Sequence, residues 1–376
     1  MSDWPTVRLG DLAQWLSGGT PNTAESSYWG GDIPWISAAS LREFFIASSD
    51  RNVTTEGAAN GTRLVPPGTT IFIVRGMSLM SEFRIGITTR EVAFGQDCKA
   101  LIPGQGIDPT FLVYAIKAQT SKILELVDAA GHGTGRLQTD RIANLLIPIP
   151  CSTREQQRTT AALKALDDKI ALNDRIAMAA FDLAQAGHAQ LDVRSAKSMS
   201  VGDLISLEYG KSLPVGNRTA GEVPVYGSGG KVGTHTQALV SGPGIIIGRK
   251  GTVGAVYWSE EDFFPIDTTF YVQPRNSLAL MEFVYFTLRS LGLNGMNSHS
   301  AVPGLNRRNA LALLVHVPDH ADINRFSDGV RPIFALRNAL AMESSSLAQL
   351  RDTLLPRLMS AEIRVREAEE MVAEVT

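Results

Sequence analysis

Two short basic stretches, Arg75-Gly76-Met77 and Arg249-Lys250-Gly251, each end an apolar run rich in β-branched residues. Glycine at such a place lets backbone approach a ligand closely. An arginine fork fits either the acceptor pair on a guanine edge or the oxygens of a phosphate. A second matched pair, Gly133-Thr134-Gly135-Arg136 and Asn306-Arg307-Arg308, lies in or just after a glycine- or serine-rich loop. Polar, aromatic loops accompany both. The first copy has Trp29, Gly30, Gly31, Trp35, Ser37 and Ser40, and the second has Tyr226, Ser228, Gly229, Gly230 and Lys231. The recognition candidates are therefore Trp35, Ser37, Arg75, Gly76, Met77, Thr134 and Arg136, and then Tyr226, Ser228, Lys231, Arg249, Lys250, Arg307 and Arg308. Taken singly, each is as well explained by a solvated side chain or a structural turn. The matched placement lifts the pairs above that reading.

Catalytic chemistry is harder to find. Leu126-Val127-Asp128-Ala129-Ala130-Gly131-His132-Gly133-Thr134-Gly135 has the acidic residue and glycines of a nucleotide-cradling loop. Such a loop must follow a strand and open a helix. Here a helical pattern precedes it and a short strand, Leu145–Pro150, follows. The matching stretch with Ser298, Ser300, Pro303 and Gly304 lacks the glycine triplet, and no N/D-P-P-Y/F motif of an amino-methyltransferase occurs. The histidines 132, 188, 235, 299, 316 and 320 have no metal-ligand spacing. No nucleophile elbow, Walker A loop or nuclease-type cluster is present, and Gly248-Arg249-Lys250-Gly251 is too short for a phosphate loop. The expectation is a non-catalytic binding protein that holds no metal and no cofactor.

The elements that position the basic pairs come in two copies. Val7-Arg8-Leu9-Gly10-Asp11-Leu12 is answered by Ser200-Val201-Gly202-Asp203-Leu204, and Gly31-Asp32-Ile33-Pro34-Trp35 by Gly221-Glu222-Val223-Pro224-Val225. PPGTTIFIVRG (66–76) is answered by GPGIIIGRKG (242–251), and Phe94-Gly95-Gln96-Asp97 by Phe264-Pro265-Ile266-Asp267. Each copy continues with a helix (Phe111–Val127, Met281–Leu291) and a loop (131–137, 297–305). A strand ending in proline follows (145–150, 313–318), and then a long helix. The offset drifts from about 192 to about 168 residues, as loop shortening in one copy produces. Reuse of common turn residues is the plain alternative. Short β runs broken by Gly, Pro, Asn and Ser predict mixed sheets with few helices rather than regular βαβ winding.

The two helical runs, about 152–187 and 322–366, are polar with a narrow apolar stripe. Leu163, Leu166, Ile170 and Asn173 mark it in the first, and Ile333, Leu340, Leu347 and Leu354 in the second. Spacings of three and four in the first, and of seven in the second, are those of a coiled-coil seam. Pro332 predicts an early turn or kink. A helix of about 36 residues spans about 54 Å, so an antiparallel pair could set a distance between two heads. Interdomain helices with no metric role are the alternative.

Composition restrains the partners. Residues 1–150 carry 12 Lys/Arg against 14 Asp/Glu, and residues 195–318 carry 10 against 8, so a nucleic-acid surface must come from local arrangement. Only two cysteines occur, Cys98 and Cys151, which suits a reducing cytosol. The ends show no signal peptide and no apolar run reaches membrane-spanning length, so a cytoplasmic protein is expected.

With these motifs in order, the chain resembles the specificity (S) subunits of type I restriction-modification systems. The residues that carry the resemblance are VRLGDL (7–12), SVGDL (200–204), DIPWIS (32–37), GHGTGRLQTDRIANLLIPIPCSTREQQR (131–158) and LRDTLLPRLMSAEIRV (350–365). It extends to about residue 365. The second copy departs from it at His320-Ala321-Asp322-Ile323-Asn324-Arg325, where an acidic-Gln-Gln stretch is usual. The resemblance implies an α+β chain: two similar mixed α/β target-recognition domains separated by two long helices packed as an antiparallel coiled coil. Its segments would be 1–150 (first recognition domain), 151–190 (helical spacer), 195–318 (second recognition domain), 319–366 (second spacer) and 367–376 (tail). It implies that each recognition domain reads half of a bipartite, asymmetric site in double-stranded DNA. It implies two partner modification subunits that carry S-adenosylmethionine and methylate adenine N6. It also implies restriction/translocase subunits using ATP and Mg, in a bacterial or archaeal cytoplasm. A specificity or scaffold subunit of another phage-defence complex is the alternative. A methyltransferase or nuclease acting alone, or a scaffold that binds no DNA, are the competing classes.

Overall fold

The computed structural model describes residues 4–129, 133–191, 196–296 and 304–373. The chain divides into two compact units, Met1–Ala171 with Ser344–Thr376, and Leu172–Glu343. In the first unit the run Thr70–Ile73 is buried at every position, as an inner strand must be. It is the middle of a five-stranded sheet ordered Ala13–Ser17, Cys98–Pro103, Thr70–Ile73, Ile85–Thr88, Phe45–Ile46. Helix Pro109–Lys117 covers this sheet. Asp108 caps it, its carboxylate accepting from the Phe111 N–H at 2.9 Å, and proline takes the first helical position. Burial here pushes the Cys98 thiol up to about 12, with Asp97 adding to the shift, so Cys98 stays an apolar core group.

The second unit repeats the plan with fewer strands. Its main sheet is ordered Ile205–Tyr209, Thr269–Pro274, Gly244–Gly248, Val256–Ser259, under helix Met281–Ser290. A three-stranded sheet ordered Gly230–His235, Val223–Gly227, Phe264–Pro265 stands beside it. Both units close their ends with a two-stranded ribbon, Thr6–Arg8 with Leu146–Pro148 and Lys197–Ser200 with Leu314–Val317.

Backbone hydrogen bonds give the register of the repeat without reference to side chains. Leu9 N–H donates to Leu145 O in one unit as Val201 N–H does to Leu313 O in the other. The N–H groups of Val74 and Arg75 donate to Asp97 O, and those of Arg249 and Lys250 donate to Thr268 O. Leu137 N–H reaches Val74 O, and Leu305 N–H reaches Arg249 O. Arg75 therefore corresponds to Lys250, and Arg249 corresponds to the buried Val74. The sequence matching of Arg75 with Arg249 and of Asp97 with Asp267 is one residue out of register. The cause is that a strand end carries no length marker: RG and RKG differ by one residue at the point where the ladder stops.

The long helices are Thr153–Ala189 and His320–Met359. They run antiparallel within each unit. In the first, Asp167 accepts from Arg351 Nη1 and from the Tyr114 hydroxyl, both at 2.5 Å, among buried Leu163, Leu166, Leu347, Leu354 and Leu358. Burial works against the Arg351 charge, and the Asp167 and Asp352 carboxylates overcome it, holding its pKa above the usual value. In the second unit Asn173, a buried seam residue, donates to Glu343 Oε2 at 2.7 Å, and His188 packs on Phe283, Phe286 and Phe326. Ile170 in the first unit, and Ile333 and Leu340 in the second, are half-buried.

Two expectations for the second helix change. It continues through Pro332, whose ring sits at an exposed position, so no early turn forms. It ends at Met359 rather than near residue 366. There Ala361 is left-handed at φ 52°, its N–H donates to Leu358 O, and Glu362 N–H donates back to Arg357 O at 2.8 Å. This is a Schellman cap built on alanine instead of glycine, so the sequence carried no stop signal. The following residues form a separate helix, Val365–Ala373, with Ala368 and Val372 in the core of the first unit. No helix among the described residues is long and apolar enough to cross a membrane.

Candidate nucleic-acid interface

In the first unit a three-stranded sheet, ordered Val127–Ala129, Gly135–Leu137, Arg75–Gly76, presents the candidate cations. Its register sets Arg136 directly opposite Arg75, and Asp128 opposite Arg136. Residues directly opposite on paired strands project to the same face. The Asp128 carboxylate is already taken, accepting from Arg141 Nη1 at 2.9 Å and from Gln138 Nε2 at 2.7 Å. Asp128 is thus a structural ligand of the next helix, not the acidic residue of a cofactor loop. Arg75 and Arg136 are both exposed, and neither has an ion-pair partner among the described residues. Two opposed like charges repel, and a phosphate or guanine edge placed over them removes that repulsion.

The loop after Trp29–Ile36 is brought beside this pair. Ser37 and Ser40 bond each other's backbone N–H groups, at 2.9 and 3.1 Å, and so fix a tight turn. The turn holds Ala38 beneath Gly76, which takes φ +152°. Met77 follows, 74% exposed, and Thr134 is half-buried one residue before the central strand. Gly131 and His132 of the same loop lie outside the described residues. Trp35 does not belong to the surface. It is 7% exposed, its indole N–H donates to Gly19 O at 3.0 Å, and it packs edge-on against Trp29. Arg51 covers the Trp29 face at 3.7 Å. A buried indole with its one donor satisfied has no edge left for a base.

The second unit puts the equivalent loops together. Ser228 follows strand Val223–Gly227, as Ala38 follows Trp29–Ile36, and it lies against Gly251, the counterpart of Gly76. A Cβ on Gly251, at φ +81°, would come within 2.8 Å of Ser228 Oγ, so a side chain there is excluded on two counts. Lys231 is exposed at the adjoining hairpin, opposite Tyr226. The Tyr226 hydroxyl reaches Trp258 O at 3.5 Å. Burial raises its pKa, so it remains a donor. Lys250 is exposed and bridges to Gly304, as Arg75 pairs with Arg136. Residues 297–303 of the serine-rich loop lie outside the described residues.

Arg249 points the other way. Its guanidinium donates to Asp267 O at 2.6 Å and lies 5.3 Å from the Tyr209 ring centre, with Arg307 at 5.6 Å from the same ring. Arg307 also reaches Glu208 Oε1 at 3.4 Å, while Arg308, next on the helix, is exposed. Sequence reasoning missed Tyr209, which is 51% exposed. Its only signal was an aromatic residue closing an alternating strand just before Gly210. Sequence reasoning also missed Ala38, whose role is positional. Among the described residues no group of three or more metal-ligating side chains occurs.

Comparison with known proteins follows the same lines. Residues 1–178 match the family model described as type I restriction modification DNA specificity domain. Over 167 residues the chain is 28% identical to the type I restriction enzyme EcoR124I/EcoR124II specificity subunit of Escherichia coli, covering 44% of this chain and 41% of that one. Over 176 residues it is 31% identical to the MjaIX specificity subunit of Methanocaldococcus jannaschii, covering 45% and 39%. The chain thus spans about two-fifths of the length of these curated relatives. The type I restriction-modification S subunit of M. genitalium shares its fold, with a TM-score of 0.58 and 18% identity over 95% of this chain and 96% of that one.

Proposed function

We propose, from the match of residues 1–178 to the type I restriction modification DNA specificity domain, that the whole chain is the sequence-reading subunit of such a system. It binds double-stranded DNA through two heads, each reading one half of a bipartite, asymmetric site. The observation that carries this reading is the repeated juxtaposition. In both heads the loop after one strand is laid against a glycine turn after another, and an exposed cation stands at the same ladder position, Arg75 or Lys250. The heads differ in the side chains on that shared frame, which suits two different half-sites, whereas two identical heads would read a palindrome.

On this reading the long helices bind two modification subunits. Those partners carry S-adenosylmethionine and transfer methyl groups to adenine N6. Restriction subunits add ATP- and Mg-dependent cleavage. The chain itself supplies sequence choice, holding DNA while the partner draws a target adenine from the stack. The compartment is the cytoplasm of a bacterium or archaeon. Selection from a random duplex library tests the reading, using this chain together with a type I modification subunit from the same genome. Recovery of one split motif with a fixed unspecified gap is the expected result. Recovery of no motif would remove the DNA-reading role.

A further inference from the structure

We propose that Met77 is an apolar wedge that enters the base stack of the half-site held by the first head, opposite a flexible pyrimidine–purine step. The proposal rests on the DNA-reading function above and specifies how one of its two heads performs it. Three features of the chain lead to it.

The first is an apolar side chain presented on a fixed turn. Met77 is 74% exposed, whereas Leu79, two residues on, is fully buried and anchors the turn. Ser81 and Glu82 donate their N–H groups to Ser78 O at 3.0 and 2.8 Å. Arg84 ties the turn to Glu82 at 2.8 Å and to Ala38 O at 3.4 Å. Met80 lies over Gly135, where an added Cβ would come 3.2 Å from its sulfur. Met80 is itself 51% exposed but lies against Gly135, which leaves Met77, at 74%, as the outermost apolar side chain of an anchored turn. Methionine is flexible and polarizable, so it fits an irregular gap between bases.

The second feature is charge. Arg75 and Arg136 stand opposite each other on the adjoining strands, exposed and without an ion-pair partner among the described residues. An apolar tip beside two unneutralised guanidiniums complements a surface where stacked bases run between phosphates. A greasy protein groove would have to desolvate both cations. Partial unstacking by an apolar wedge costs a few kcal/mol per step, and TA and CA/TG steps unstack most easily. That preference gives sequence selection without a hydrogen bond to a base.

The third feature is asymmetry. Gly251 occupies the place of Gly76 in the second head, so the residue in the place of Met77 is Thr252, which is exposed and polar. The wedge belongs to one head only.

The test uses the full chain with a type I modification subunit from the same genome, on duplexes carrying its bipartite motif with 2-aminopurine at successive positions. Wild-type protein is expected to raise the fluorescence several-fold at one step in one half-site, apart from the methylated adenine. Met77→Ala should abolish that rise and, because unstacking offsets much of the gain from burying one methionine side chain, weaken binding by about tenfold at most. Met77→Leu should retain both. Changing the step to purine–purine should weaken wild-type binding and leave Met77→Ala indifferent. Equal affinity and equal fluorescence in wild type and Met77→Ala would overturn the wedge while leaving the DNA-reading role intact. Absence of sequence-selective binding by the wild type would overturn both.

Discussion

Replacing Arg136 by glutamine should make the free protein slightly more stable and its grip on DNA weaker. Directly opposed side chains on antiparallel strands have Cβ atoms about 5 Å apart, and Arg136 faces Arg75 in this way with Asp128 already committed to Arg141 and Gln138. Two unit charges about 7 Å apart at solvent dielectric repel by about 0.6 kcal/mol, and less once salt screens them. Removing one charge should therefore raise the melting temperature by about 1–2 °C for a unit of this size. Should the arginine hold a phosphate, the slope of log binding constant against log salt should become shallower by about 0.9, equally for all sequences. Should it read a guanine, discrimination at one base pair should fall by about 1–3 kcal/mol instead. Thermal unfolding and a salt series of DNA titrations measure both quantities on one preparation. A variant that melts lower and binds DNA unchanged would refute the argument, because the pair would then be structural.

Three further experiments test the remaining packing and charge assignments. Arg351→Met strands the Asp167 carboxylate, which is 3% exposed, and should cost about 3–5 kcal/mol in urea unfolding; adding Asp167→Asn should recover part of the loss. His188 is held neutral, its pKa pushed down to about 4 by burial. The unfolded chain then binds the extra proton between pH 6.5 and 4, so stability is full above about 6.5 and falls by up to about 3 kcal/mol towards pH 4; His188→Gln should flatten that acid limb of a pH series. Lys250→Ala should weaken DNA binding at one half-site with no loss of stability. Arg249→Ala should instead lower stability by about 1–2 kcal/mol, through its lost bond to Asp267 O and its place over Tyr209; equal behaviour of the two variants in both assays would contradict their opposite orientations.

The repeat was legible because glycine, proline and aspartate mark the same turns twice, from Gly10-Asp11 with Gly202-Asp203 to the closing proline strands. The helix seam was legible because spacing alone defines it: Leu163, Leu166, Leu347 and Leu354 are all buried where the stripe put them. Two things escaped. Ladder register at the ends of short strands is set by backbone hydrogen bonds, so Arg249 was matched with Arg75 when Lys250 is its counterpart. Burial of an aromatic in a glycine-rich loop depends on what folds over it, so Trp35 read as a surface residue although Gly19 O and Trp29 enclose it. The helix stop at Ala361 was invisible because the left-handed position is filled by alanine. The second sequence pair fails for the same reason as the first: Leu137 and Leu305 occupy the same ladder place, so Arg136 corresponds to Gly304 and not to Arg307 or Arg308.

Base-resolution methylation mapping of a methylation-free host tests the central claim most directly. The host would carry this gene with a type I modification-subunit gene from the same genome, beside a control lacking this gene. N6-methyladenine at a single bipartite, asymmetric motif, present only when this gene is present, is the predicted result. Methylation unchanged by loss of the gene, with both proteins expressed and folded, would contradict the account.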